Sequence, residues 1–173
     1  MQTILLKETQ RIREIPFFLL IGIVQVIFLW GLIQQVIFGK PWGINPASNV
    51  VLIIINIGFL LLFIFLFSIK LEIEITHTGI HFRIFPFHFR KRFIAWNDME
   101  SLKVVRYDAI KEYLGWGIRY APKKGWCYTI SGTWGIRIKK KDGKCILIGT
   151  HRVIDYSDIF NSLSSRGVIN IKD

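Results

Sequence analysis

Two uncharged apolar runs constrain this chain more than any other feature. From Pro16 to Phe38 the sequence reads PFFLLIGIVQVIFLWGLIQQVIF, twenty-three residues without a charge, and from Val50 to Ile69 it reads VVLIIINIGFLLLFIFLFSI, twenty more. As helices they extend about 35 and 30 Å, enough to cross a hydrocarbon core of about 30 Å. A buried helix of a soluble protein rarely continues so far without a charge. A cleaved signal peptide has an apolar region of only about 7 to 15 residues, whereas the first run continues through Gln34 and Gln35 into further aliphatics. The expected plan is a juxtamembrane segment over 1–15, spans over 16–38 and 50–69, a loop over 39–49, and a domain over 70–173.

Charge gives that plan an expected orientation. The loop GKPWGINPASN carries one cation, Lys40, while Lys7, Arg11 and Arg13 precede the first run and Lys70, Arg83, Arg90, Lys91 and Arg92 follow the second. The excess of Lys and Arg outside the loop predicts that both termini are cytoplasmic. Residues 70–173 hold nineteen Lys and Arg against ten Asp and Glu, net +9 of the chain's +11. A cation near an anionic leaflet contributes about 1 kcal/mol. Lipid is then the nearest anion for a tethered domain, and no nucleic-acid partner is expected.

After Ile69 the period changes from continuous to two. In KLEIEIT, Leu71, Ile73 and Ile75 alternate with glutamates, and in GIHFRIF, Ile80, Phe82 and Ile84 alternate with polar residues. Both read as half-buried antiparallel strands joined by His77-Thr78-Gly79, a three-residue turn with glycine at its positive-φ position. Further strands are predicted over 90–96, 101–107, 116–120, 126–131, 134–141 and 144–149, the last two joined by a two-residue Asp142-Gly143 turn. In DYSDIFNSLSSRG the period becomes helical: Ile154, Ile159, Phe160 and Leu163 share a face, Asp155 or Ser157 is the N-cap, and Arg166-Gly167 closes the helix.

About seven short strands and one C-terminal helix in roughly a hundred residues is the plan of a pleckstrin-homology (PH) domain. The runs IAWNDMESLKVVRYDAIKEYLGWGIRY and YTISGTWGIRIKKKDGKCILIGT, followed by that helix, resemble the PH-like domain of uncharacterised bacterial membrane proteins with two N-terminal transmembrane helices. The resemblance covers nearly the whole chain and is most specific over Glu112 to Arg119 and Asp142 to Thr150. It departs where such proteins tend to have Gly-Gly-Trp-Gly and this chain has Leu114 before Gly115. It implies a bent antiparallel barrel of about seven strands with a C-terminal helix, a two-helix transmembrane hairpin, and a bacterial inner membrane. It implies no reaction. Phosphoinositide-binding members set several cations around their first hairpin loop, whereas this chain offers His77-Thr78-Gly79 and then Arg83, so that specificity does not carry over.

Catalytic and metal motifs are sparse. Gly115 and Gly117 form G-x-G, but Tyr120 stands where a dinucleotide fingerprint needs its third glycine. His77 and His81 are four apart yet flank a turn rather than share a helix face, and His88 and His151 are isolated. Cys127 and Cys145 form no CxxC and are expected as free thiols. Ser101 and Ser131 lie on strand patterns without a nucleophile elbow, which leaves open only a dyad assembled in space. No enzymatic activity, cofactor or small-molecule substrate is expected. Trp116, Ile118 and Tyr120, and likewise Trp126, Tyr128 and Ile130, alternate onto one strand face and read as core, which turns Arg119 outward with Glu112 as its ion-pair candidate.

Three candidate contact regions remain. With a two-residue turn at Asp142-Gly143, Arg137, Lys139, Lys141 and Lys144 share one face, either a solvated hairpin or an anion patch. In FPFHFRKR, Phe87 and Phe89 run into Arg90, Lys91 and Arg92, which reads either as an interfacial loop or as a hairpin whose rings fold inward. Within the spans, Gln25 and Asn56 are the deepest polar residues and can hydrogen-bond between helices or between protomers. The expected function is a membrane-anchored, non-catalytic binding or assembly module. The alternative is an accessory or regulatory subunit of a membrane enzyme or transporter that docks a cytoplasmic protein, and a homo-oligomer is compatible with either.

Overall fold

The computed structural model describes residues 3–12, 15–165 and 167. Arg13 and Arg166, which carry part of the predicted juxtamembrane charge and helix-end signal, lie outside them. The chain divides into two compact units: residues 13–68 form one, and residues 1–12 together with 69–173 form the other.

The first unit is a helical hairpin. Helix α1 (Ile15–Leu32) continues as a π-helical turn (Ile33–Ile37), and α2 spans Asn49–Ser68. Phe18–Ile37 and Asn49–Ser68 are long and apolar enough to cross a membrane, and only 6% and 11% of their windows are buried, so neither is a core helix. Aromatic contacts join the helices, Phe28 on Phe59 and Phe18 against Phe63. Gln25 Nε2 donates to Asn56 Oδ1 at 3.2 Å, and Asn56 Nδ2 donates to the carbonyls of Leu52 (2.9 Å) and Phe28 (3.2 Å). The expected polar contact therefore forms within one hairpin. Gln35 closes the loop: its Nε2 reaches Ala47 O (2.6 Å) and Asn49 Oδ1 (2.8 Å), and its Oε1 accepts from Trp42 N (3.2 Å).

The second unit is two sheets with short helices, not the single closed barrel that the resemblance implied. In the first sheet β1 (Ile4–Arg11), β2 (Lys70–Thr76), β3 (Gly79–Phe85) and β4 (Arg92–Ala95) pair antiparallel in chain order. The second has the order β5-β8-β9-β7-β6, from β5 (Met99–Arg106), β6 (Gly117–Ala121), β7 (Gly125–Thr129), β8 (Trp134–Lys140) and β9 (Cys145–Gly149). Among the described residues no ladder joins the two sheets, so β1, β4, β5 and β6 are edges. The sheets share one core, in which Ile73, Ile75 and Phe82 meet Tyr128, Ile136 and Ile148.

Strand β1 is the largest addition to the expected fold. It lies in the segment expected only to precede the membrane, and it is separated from its partner β2 by the whole apolar hairpin. Its inward positions are Leu6, Glu8 and Gln10. Two of the three are polar, so alternation of hydrophobicity did not mark it. They are anchored at the start of the C-terminal helix: Glu8 accepts from Thr150 Oγ1 (2.7 Å), His151 N (2.9 Å) and Gln10 Nε2 (2.9 Å), and Gln10 Nε2 also donates to Gly149 O.

Three local expectations change. The first hairpin turns on His77 and Thr78 alone, and Gly79 already belongs to β3, where a Cβ would stand 2.2 Å from Ile94 O; glycine is there for close approach, not for a positive φ. The β8–β9 turn holds three residues rather than two, because Lys140 N bonds Lys144 O and Gly143 takes φ +82°. That one-residue change pairs Lys139 with Cys145 and Arg137 with Leu147, so Cys145 and Leu147 move to the basic side. The helix α4 (Val153–Ser165) begins before the expected caps and buries Tyr156, Phe160 and Leu163, while Ile154 is exposed. Asp155 instead accepts from Arg152 Nε at 2.6 Å in the first turn, and Ser157 Oγ bonds Val153 O.

Candidate functional site

Two sheets that do not close leave a seam, and an apolar pocket lies there. It has a volume of about 500 Å³. Ile12, Ile69, Ile84 and Phe87 contribute from the end of the first sheet, and Trp116, Ile118, Arg119 and Ile130 from the second. Its position follows from local structure. Asp108 caps the short helix α3 (Ala109–Tyr113) by accepting from the backbone N–H groups of Ile110 and Lys111, both at 3.0 Å. Leu114 then ends the helix in the left-handed region at φ +60°, ψ +28°, and Gly115 and Gly117, the first residue of β6, also take positive φ. Trp116 is held by its indole N–H on Gly132 O (3.2 Å), and Arg119 Nε donates to Trp116 O (3.2 Å).

This placement corrects the assignment of the aromatics. Tyr128 and Ile130 are core, but Trp116, Tyr120 and Trp126 are exposed. Strand β6 is the edge of its sheet, and its Ile118 alone packs against the shared core while Arg119 and Tyr120 are exposed. Tyr120 and Trp126 pack together at 5.2 Å between centroids. The expected Glu112–Arg119 pair also does not form. Glu112 Oε2 takes Lys124 Nζ (2.6 Å) and Arg137 Nη2 (3.4 Å), while Oε1 accepts from Asp108 N (3.0 Å). Burial is the largest single influence and works to raise the Glu112 pKa, but the hydrogen bonds from Lys124 and Asp108 N and the charges of Lys124 and Arg137 together outweigh it, and the pKa falls below its ordinary value. Among the described residues Arg119 has no carboxylate partner. The pocket lining of Arg119 and Trp116 was missed because period-two alternation cannot tell an edge strand from a central one.

Beside the pocket, the β3–β4 loop exposes its rings. Phe87 is 55% and Phe89 79% exposed, so the alternative of phenylalanines folded into the core is not the observed one. The loop is tied back at several points. His88 N donates to Ile84 O (2.8 Å), and burial lowers the His88 pKa, helped by Arg92. Arg83 Nη1 reaches Phe89 O at 3.3 Å. Of the three cations, Lys91 pairs with Glu74, and Arg92 donates to Tyr128 Oη (2.7 Å) while stacking on its ring. Arg90 is exposed and makes no hydrogen bond or ion pair among the described residues.

The basic hairpin is compensated rather than bare. Arg137 pairs with Glu112 (3.4 Å), Lys139 with Glu100 (2.9 Å) and Lys144 with Asp142 (3.2 Å). Lys141 sits in the turn, where its N–H donates to Asp98 O and its side chain is exposed. The four cations therefore do not form the single face that a two-residue turn required.

Groups with catalytic potential are dispersed. Ser131 Oγ lies 3.1 Å from His151 Nε2, but Glu8 takes the backbone N–H of His151 rather than its ring, and no described residue orients the other ring nitrogen. Burial pushes the Cys127 thiol up to about 11, away from thiolate. His81 stacks on Phe93 with its pKa lowered by burial, and no group of three His, Cys, Asp or Glu is poised for a metal among the described residues.

A scan against protein-family models finds none that matches the chain, and a search of curated proteins finds no match.

Proposed function

We propose that this chain is a membrane-anchored, non-catalytic binding or assembly module of a bacterial inner membrane, with a PH-like unit on the cytoplasmic face. The PH-like reading is supported by two sheets packed through one core and followed by a single helix. Helices α1 and α2 act as the anchor, and the charge flanking them places both termini inside.

The observation that carries the contact with lipid is the β3–β4 tip, where Phe87 and Phe89 are exposed next to Arg90. Rings of this kind enter the headgroup boundary while a cation holds phosphate. Lys91 and Arg92 support the loop through Glu74 and Tyr128, and Arg90 has no ion-pair partner among the described residues. The basic hairpin contributes field rather than contact, since Arg137, Lys139 and Lys144 are paired.

The test places the photoreactive analogue benzoylphenylalanine at position 89 of the full chain, reconstituted in nanodiscs of zwitterionic lipid with or without anionic lipid. Crosslinks to lipid that increase with the anionic fraction are expected. Capture of protein only, or no dependence on anionic lipid, overturns lipid contact.

A second reading is an accessory or regulatory subunit that docks a cytoplasmic protein, and the exposed Tyr120–Trp126 pair on the edge of the second sheet favours it. The same analogue at position 120 in native membranes separates the two readings by what it captures.

A further inference from the structure

The seam pocket has a composition that the anchoring role does not require. Among the described residues of its wall five are isoleucines, including Ile84, Ile118 and Ile130, the one charged side chain is Arg119, and none is a carboxylate. Arg119 uses Nε on Trp116 O and has no ion-pair partner among the described residues, because Glu112, the nearest candidate in sequence, is taken by Lys124 and Arg137. An apolar cavity with a few placed polar groups is the usual form of a small-molecule site. A single unneutralised cation selects a ligand with an anionic head and an apolar body.

Volume decides how many chains fit. With a methylene taken as about 30 Å³, the share of one water in the liquid, the pocket of about 500 Å³ holds on the order of sixteen carbons. That is one acyl chain, not the two of a phospholipid.

We propose that the seam pocket binds a long-chain fatty acid, with the acyl chain among Ile84, Ile118 and Ile130 and the carboxylate on the Arg119 guanidinium. Delivery from the bilayer rests on the membrane reading above; recognition by the pocket does not.

The experiment uses the full chain in non-ionic detergent, with a palmitic acid that carries a photoreactive diazirine at mid-chain, followed by peptide mass spectrometry. Labelling is expected within 84–87, 116–119 and 129–130, with competition by palmitate. Arg119→Glu, a change at an exposed side chain, is expected to weaken palmitate binding about tenfold or more, as expected for loss of a charge-assisted contact. Arg119→Lys is expected to retain binding within about threefold, and the uncharged methyl ester to bind wild type and Arg119→Ala alike. Labelling confined to α1 and α2, a crosslink that shows a second copy of the chain in the pocket, or equal palmitate affinity in Arg119→Glu overturns the proposal. Lipid capture at position 89 without labelling in the pocket refutes this inference alone, and the reverse result refutes only the interfacial reading.

Discussion

Replacing Glu8 with alanine removes the acceptor on which the N-terminal strand is fastened to the rest of its unit. Glu8 is 5% exposed and takes three hydrogen bonds, from Thr150 Oγ1, His151 N and Gln10 Nε2, at 2.7 to 2.9 Å. A bond to a charged acceptor contributes about 1.5 to 3 kcal/mol, and donors left unpaired in a buried site add their own desolvation penalty. Gln10 keeps its second acceptor, Gly149 O, and water can reach the His151 amide at the margin of the cluster. The loss expected for Glu8→Ala is therefore about 3 to 4 kcal/mol, a large part of a typical domain stability of about 5 to 15 kcal/mol. Glu8→Gln keeps the volume and one acceptor oxygen and is expected to cost about 1 to 2 kcal/mol. Neighbouring Lys7, whose side chain is 59% exposed and which pairs with Glu74, is the control, with Lys7→Ala costing at most about 1 kcal/mol. Urea titration of the full chain in mild detergent, followed by hydrogen exchange in β1, β2 and the β9–α4 corner, measures these losses. A Glu8→Ala effect below about 1 kcal/mol, or exchange that changes in β1 alone, refutes the claim that this cluster joins the strand to the fold. The same reasoning predicts that a chain beginning at Lys70 does not fold, because it bares the β2 edge. Residues 1–12 joined to Ile69 by about four Gly and Ser residues are expected to restore folding, since Arg11 already pairs with Lys70.

Glu72 gives a pH dependence of definite sign. The hydrogen bond from Arg83, against burial and with help from Lys70, lowers its pKa from 4.5 to about 2, so its contribution is complete above pH 4.5 and is lost as pH falls toward 2. Glu72→Gln is expected to flatten that acid limb by about 2 kcal/mol in urea midpoints taken from pH 5 to 2; an unchanged limb refutes the assignment. Asn56→Leu, which removes the contacts to Gln25 and Phe28 O, is expected to weaken α1–α2 association by about 0.6 to 2 kcal/mol in detergent-denaturation assays, and no change disposes of the polar contact. Leu114→Gly is expected to stabilise the second unit by about 0.5 to 1 kcal/mol by thermal melting, because Leu114 holds φ +60° at an exposed site; destabilisation counts against that geometry.

What the sequence showed well was local. Strands β2, β3, β7, β8 and β9 and helix α4 fall within a few residues of their expected positions, because each carries its own period in side chains that face one core. Strand β4 is shorter than expected, and α3 was missed, since five residues with a single capping aspartate show no period. The candidate site was less legible. Phe87, Phe89 and Arg90 stood out as a motif, but their exposure was one of two open readings. Arg119 was singled out only as an outward residue with Glu112 as its ion-pair candidate, and its neighbour Trp116 was assigned to the core.

The sequence by itself determined the two apolar helices, since twenty uncharged residues admit few other conformations whatever surrounds them, and it determined the alternation of β2 and β3. Tertiary structure alone decided three things. The polar strand β1 joined the fold because Glu8 and Gln10 find their partners some 140 residues away, at Gly149, Thr150 and His151. The extra turn residue at Gly143 set which side chains the basic hairpin presents, since a one-residue shift exchanges the faces of a strand. The failure of the two sheets to close opened the pocket at Ile118 and Arg119, because no period within a strand records whether another strand lies beside it.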